Sequence, residues 1–175
     1  LWARADLLDA MAPIETGGDM IHSVRLRDAD FTTGTQRFEA GTPDASGAVA
    51  LAAACDLLDE FGREQIHAHE ALMIERVIRE LPEVLPDARI LGPRDRTQRA
   101  GVVAFSSELI HAHDLAEILD RRGVAIRAGF HCAQPLHEQL ELSSSARVSV
   151  APYTTHEDLD ALFAGLREAR TVFEG

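Results

Sequence analysis

The sequence contains no lysine: all 17 of its basic residues are arginine. Chemistry that needs a lysine amine is therefore closed to these residues alone, although a GC-rich coding bias is the simplest cause of the absence. Cysteine is nearly as scarce. Cys55 and Cys132 lie far apart, which makes neither a disulfide framework nor a paired-ligand zinc motif. Aromatic residues are only 5 % of the chain, and no apolar run reaches the length needed to cross a bilayer. Basic charge is outweighed by 29 acidic residues, and the net charge of −12 points away from nucleic acid or an anionic membrane surface as partner. A soluble, cytoplasmic protein is the expected setting. Leu1 stands where Met usually does, and "LWARADLLDAM" reads as the interior of a longer polypeptide.

What is present is enough to fold. Of 175 residues, 46 % are apolar, which supports a core of ordinary size. Residues 1–43 show little periodicity, and "ETGGDMI" and "RFEAGTPD" are rich in turn formers, so this part reads as loops. An Ala-rich helix over 47–61, closed by Gly62, is expected to pack tightly on a neighbour, with Cys55 as a small core residue. A second helix over 64–81 is expected to stop at Pro82. Short apolar runs at 88–92, 100–107, 124–128 and 146–152 predict strands, the second buried on both faces. They alternate with helices over 113–123, which His111 can cap, and 155–173. The sum is an α/β chain with an α+β small domain: a mostly antiparallel sheet of three to four strands, packed with helices.

Four places can carry chemistry. "RAGFHCAQP" (127–135) puts Arg127 and His131 beside Cys132, with a short helix expected after the sulfur, which suits an accessible and activated thiol. Composition alone leaves a buried structural cysteine equally open. Arg147 in "SSSARVSV" can clamp a carboxylate in bidentate fashion or form a surface ion pair. The turn around Gly41 and Thr42 has the amides and hydroxyl to hold a phosphate, as do many turns that hold nothing. His111 and His113 bracket the start of a helix, either solvated or as ligands. His131 and Cys132 as adjacent metal ligands, with no second pair, are weak evidence for a metal site.

Taken in order, "GGDMI", "RFEAGTP", "IHAHDLAEILDRRGVAIRAGFHCAQPL" and "SARVSVAPYTTHEDLDAL" resemble the C-terminal part of group II, SufS-like cysteine desulfurases. These belong to the class V aminotransferase superfamily, fold type I of the pyridoxal 5'-phosphate (PLP) enzymes. The resemblance covers nearly the whole chain. It implies that Cys132 takes sulfur from L-cysteine as a persulfide, leaving L-alanine, for iron–sulfur cluster assembly. It implies that Arg147 clamps the substrate carboxylate, with Arg127 and His131 lining the same pocket and "ETGGDMI" shaping its entrance. Thr42 and the Gly41 backbone would reach the cofactor phosphate of the partner subunit in a homodimer. His113 matches a position implied to join the zinc of a SufU-like sulfur acceptor, whereas relatives served by SufE-like acceptors commonly differ there. Residues 1–46 would be the end of the large PLP-binding domain, and 47–175 the small domain with its linking helix.

Two departures stand out within the match. Phe130 replaces the first histidine of the usual His-His-Cys, and Thr154 follows Tyr153 where the family has Asn. The Schiff-base lysine of the family lies upstream of the matched region, so these residues alone are expected not to turn over cysteine. A cofactor-independent persulfide-relay or binding domain and a selenocysteine lyase are the alternatives; an epimerase of the superfamily fits less well, since it would not need Cys132.

Overall fold

A computed structural model describes residues 2–175, which divide into two compact units, 2–58 and 59–175. Among the described residues no helix is long and apolar enough to cross a membrane.

The first unit has more regular structure than its turn-rich sequence suggests. Helix α1 (Ala5–Ala10) buries Leu8, and an antiparallel hairpin joins β1 (Ile21–Val24) to β2 (Ala29–Phe31). Arg25 crosses the hairpin and donates from two guanidinium nitrogens to Asp30, at 3.0 and 3.1 Å. Such short strands carry too few residues for alternation to show in the sequence. The two glycine turns meet: Gly41, at φ +86°, donates its N–H to the Gly18 carbonyl at 2.9 Å. A Cβ on Gly17 would lie 3.1 Å from the Ala40 carbonyl carbon, so the close approach of these turns requires glycine there.

Helix α2 (Ala45–Phe61) begins where Asp44 accepts a hydrogen bond from Gly47 N–H at 2.9 Å. It corrects the expectation placed on it. None of its residues is buried, and Cys55 is exposed together with Val49, Leu51, Leu57 and Leu58. An Ala-rich face is well suited to packing, but burial is decided by what lies opposite, which the helix's own sequence does not contain.

The second unit holds the core. Gly62 (φ +81°) breaks the chain before α3 (Arg63–Val84), which continues through Pro82 instead of stopping there. The proline forfeits one backbone bond. Burial of Leu81, Val84 and Leu85, with Leu85 N–H on the Leu81 carbonyl at 2.9 Å, holds the last turn regardless.

Strands β3 (Arg89–Leu91), β4 (Val102–Ser106), β5 (Arg127–Gly129) and β6 (Ser145–Ser149) form an antiparallel sheet in the order β3-β4-β6-β5. β4 buries only one face, through Val103 and Phe105, whereas Val102 is exposed, so the expectation of two buried faces fails there. β5 starts three residues later than its apolar run. Gly123 (φ +74°) ends α4 (Ala112–Asp120), and Val124 gives its N–H to the Leu119 carbonyl at 3.0 Å, a Schellman-type closure that takes the donor from the sheet.

Helix α6 (His156–Glu174) opens with a full capping box between Thr155 and Asp158. It packs beside α3 and α4, and Leu159, Leu162, Phe163 and Leu166 join Met73, Val77, Leu115, Phe105 and Val148 in one core. Phe105 is fully buried at the centre of the sheet. Phe105→Ala is expected to lower the unfolding free energy by about 3–5 kcal/mol, checked by urea denaturation.

Candidate functional site around Cys132

The pleat decides which side chains leave the core. On β6, Ala146 and Val148 face the helices, so Ser145, Arg147 and Ser149 project from the opposite face. The register β5 on β6 pairs Arg127 with Arg147 and Gly129 with Ser145, so both arginines stand on that same open face. Directly opposed residues have Cβ atoms about 5 Å apart, and like charges so placed repel. On its other side Arg147 is paired with Ala104, which leaves room. No ion pair among the described residues includes either arginine, which corrects the surface salt bridge considered for Arg147. The Arg147 Nε is buried without a partner. Two guanidinium groups side by side without an ion-pair partner have the charge and donors to receive an anion.

From Gly129 (φ +118°) the chain turns sharply. His131 (φ 52°) and Cys132 (φ 61°) are both left-handed, and neither is glycine. Each costs roughly 1–2 kcal/mol, so the surroundings must hold them. A tight turn does part of this, with Ala133 N–H donating to the Phe130 carbonyl at 2.8 Å. His131 Nε2 contacts the Ser145 carbonyl at 3.1 Å and its hydroxyl at 3.0 Å. Behind them His137, buried in α5 (Gln134–Gln139), contacts the Ser145 hydroxyl at 2.9 Å and the Ala133 carbonyl at 3.0 Å. The Phe130 ring packs edge-on to His137, with centroids 5.5 Å apart.

This turn presents Cys132 outward. The thiol is exposed, and Arg127 Nη2 donates to its Sγ at 3.5 Å. The cation beside the sulfur is thus Arg127; the helix expected after it has only six residues. Burial, and next the charge of Arg147, hold the His131 imidazole below the usual histidine range, against the opposing effect of the Ser145 carbonyl. The ring is therefore neutral at neutral pH.

The structure brings Arg127, His131, Cys132 and Arg147 together. His113 stands on the exposed first turn of α4, stacked on His111 with ring centroids 5.1 Å apart. His111 caps that helix by accepting from His113 N–H, and its Nε2 meets Ser144 Oγ at 3.0 Å. Gly41 and Thr42 belong to the other unit. The Gly41 N–H, expected to face a phosphate, is already committed to Gly18; Thr42 is exposed. Ser145 and His137 were not legible as site residues. One signal was available for Ser145: it lies two positions before Arg147 on a strand and so shares its face. A groove of about 690 Å³ opens elsewhere in this unit, between Asp87, Arg89, His111, Ser144 and Phe173, and Cys132 does not line it.

The model of the Aminotransferase class-V family matches residues 1–162, and the chain belongs to that family. Over 173 residues it is 41 % identical to probable cysteine desulfurase 2 of Mycobacterium leprae, covering 99 % of this chain and 41 % of that protein. It is 43 % identical to the cysteine desulfurase of Haloferax volcanii, covering 99 % of this chain and 40 % of that one. The chain thus spans about two fifths of the curated relatives it matches. Among solved structures, the apo cysteine desulfurase of Thermococcus onnurineus NA1 superposes with a TM-score of 0.88 at 32 % identity, over 99 % of this chain and 42 % of that one. A C-DES mutant with glycine covalently linked to its PLP cofactor shares the fold at 22 % identity and a TM-score of 0.73, over 95 % of this chain and 40 % of that one.

Proposed function

We propose that the chain supplies the sulfur-accepting part of a PLP-dependent cysteine desulfurase of the group II, SufS-like kind. The observation that carries this reading is the exposed Cys132 held on a left-handed turn under Arg127, on the same sheet face as the unpaired Arg147. Relatives named cysteine desulfurase at about 40 % identity support it. The residues here fit the edge of the cofactor and not its anchor: Thr42 offers an exposed hydroxyl to its phosphate, whereas no lysine is present to bond it. When bound, PLP supplies the electron sink that weakens the Cβ–S bond of the substrate.

Each residue then has a task. Arg147 binds the carboxylate of L-cysteine, with Arg127 beside it. Cys132 Sγ, as thiolate, forms an S–S bond to the substrate sulfur as the Cβ–S bond breaks; the carbon keeps that electron pair, takes a proton and leaves as L-alanine. The persulfide on Cys132 is exposed and free to pass to a SufU-like or SufE-like acceptor for cytoplasmic iron–sulfur cluster assembly, with His113 meeting the zinc of a SufU-like one. Residues 1–46 serve the large domain and 47–175 the small one. Thr42 acts on the partner subunit's cofactor in a homodimer.

The test compares this chain, given PLP and L-cysteine, with the same residues joined to the lysine-bearing part of a relative. Alanine release is expected from the joined protein only. Alanine from the chain by itself, or none from the joined protein, would overturn the reading. The exposed thiol of Cys132 beside Arg127 also suits one alternative, a cofactor-independent persulfide relay. It predicts that the chain by itself takes up sulfur from polysulfide at Cys132 and yields it to a thiol.

A further inference from the structure

The hydrogen bonds behind Cys132 decide which nitrogens carry protons. The Ser145 carbonyl can only accept, and it lies 3.1 Å from His131 Nε2, so that nitrogen carries the hydrogen. The Ala133 carbonyl likewise can only accept, and it lies 3.0 Å from His137 Nδ1, so that nitrogen also carries one. A neutral His137 therefore offers a lone pair at Nε2, 2.9 Å from Ser145 Oγ. The single hydroxyl hydrogen of Ser145 goes to it, leaving the Oγ lone pairs turned to His131 at 3.0 Å. All three members are then satisfied except at one atom: His131 Nδ1 is buried, deprotonated and without a partner. Ser145 is fully buried and His137 nearly so.

We propose that His137 and Ser145 are positioning residues: they lock His131 in its Nε2–H tautomer, whose bond to the Ser145 carbonyl holds the left-handed turn that presents Cys132. The charged groups facing the ring are Arg147 and Arg127, with His137 behind it, and both arginines disfavour the imidazolium. The tautomer does not rest on the desulfurase reading above.

The lock is read in the 15N-labelled 175-residue chain by two-bond proton–nitrogen correlation at neutral pH. His131 is expected to show a protonated Nε2 and a bare Nδ1. A protonated Nδ1 in the parent overturns the proposal whether or not any variant folds. In His137→Phe the Ser145 hydroxyl loses its acceptor and turns on His131 Nε2, so the two tautomers mix; an unchanged pattern removes His137 from the account. Ser145→Ala is expected to speed exchange of the Nε2 proton with water by about tenfold, the loss of roughly one hydrogen bond. Unchanged exchange removes the hydroxyl.

Discussion

Cys132→Ser, made in the lysine-complemented enzyme, is expected to lower alanine release by roughly 10³-fold or more, the scale seen when a covalent nucleophile is removed. Serine keeps the turn: it is nearly isosteric, and the features that hold the loop are the His131 and His137 bonds to Ser145, not the sulfur. What is lost is an atom able to form a bond to substrate sulfur, because a hydroxyl is almost wholly protonated at neutral pH. Cys55→Ser is the control. That residue is exposed on α2, in the other unit, and its replacement is expected to leave turnover unchanged. Equal losses from the two substitutions would show that the effect is not specific to the loop.

Arg147→Ala is expected to reduce kcat/KM for L-cysteine by roughly 30- to 1000-fold, or about 2–4 kcal/mol, the range for removing one partner of a charge-assisted, desolvated pair. The same substitution is expected not to lower the melting temperature. Arg147 opposes Arg127 across the β5–β6 ladder, so its removal relieves a like-charge repulsion, and no ion pair is broken. Loss of activity without loss of stability separates a substrate clamp from a structural strut. Arg147→Lys keeps the charge but not the planar fork and is expected to fall between the two. A large drop in melting temperature for Arg147→Ala would place the residue in the scaffold instead.

The parts of the fold that could be read from sequence are those whose causes are local. The amphipathic spacing of α4 and α6, the capping signals at His111 and Thr155 and the stop at Gly62 depend on residues within a turn or two of each other. The failures share the opposite property. Cys55 was expected in a core, yet no local feature of an Ala-rich helix says what covers it. Pro82 was expected to end α3, but tertiary burial of Leu81 and Leu85 outweighs one lost backbone bond.

The site divides along the same line. Arg127, His131 and Cys132 are near neighbours in sequence and could be named together. Placing Arg147 with them requires the β5–β6 register, which no single segment encodes. Ser145 and His137 escaped notice because a serine in a serine run and a histidine on a short helix look like surface residues until the ring nitrogens are seen to meet one hydroxyl.

One measurement reaches the central claim directly. Trypsin separates the two cysteines, leaving Cys55 in the peptide 38–63 and Cys132 in 128–147, since cleavage follows Arg37, Arg63, Arg127 and Arg147. After a single turnover of the lysine-complemented enzyme with sulfur-labelled L-cysteine, mass spectrometry under non-reducing conditions is expected to find one additional, labelled sulfur on 128–147, lost on treatment with dithiothreitol. Label on 38–63, or alanine formed with no sulfur on either peptide, would contradict a persulfide on Cys132.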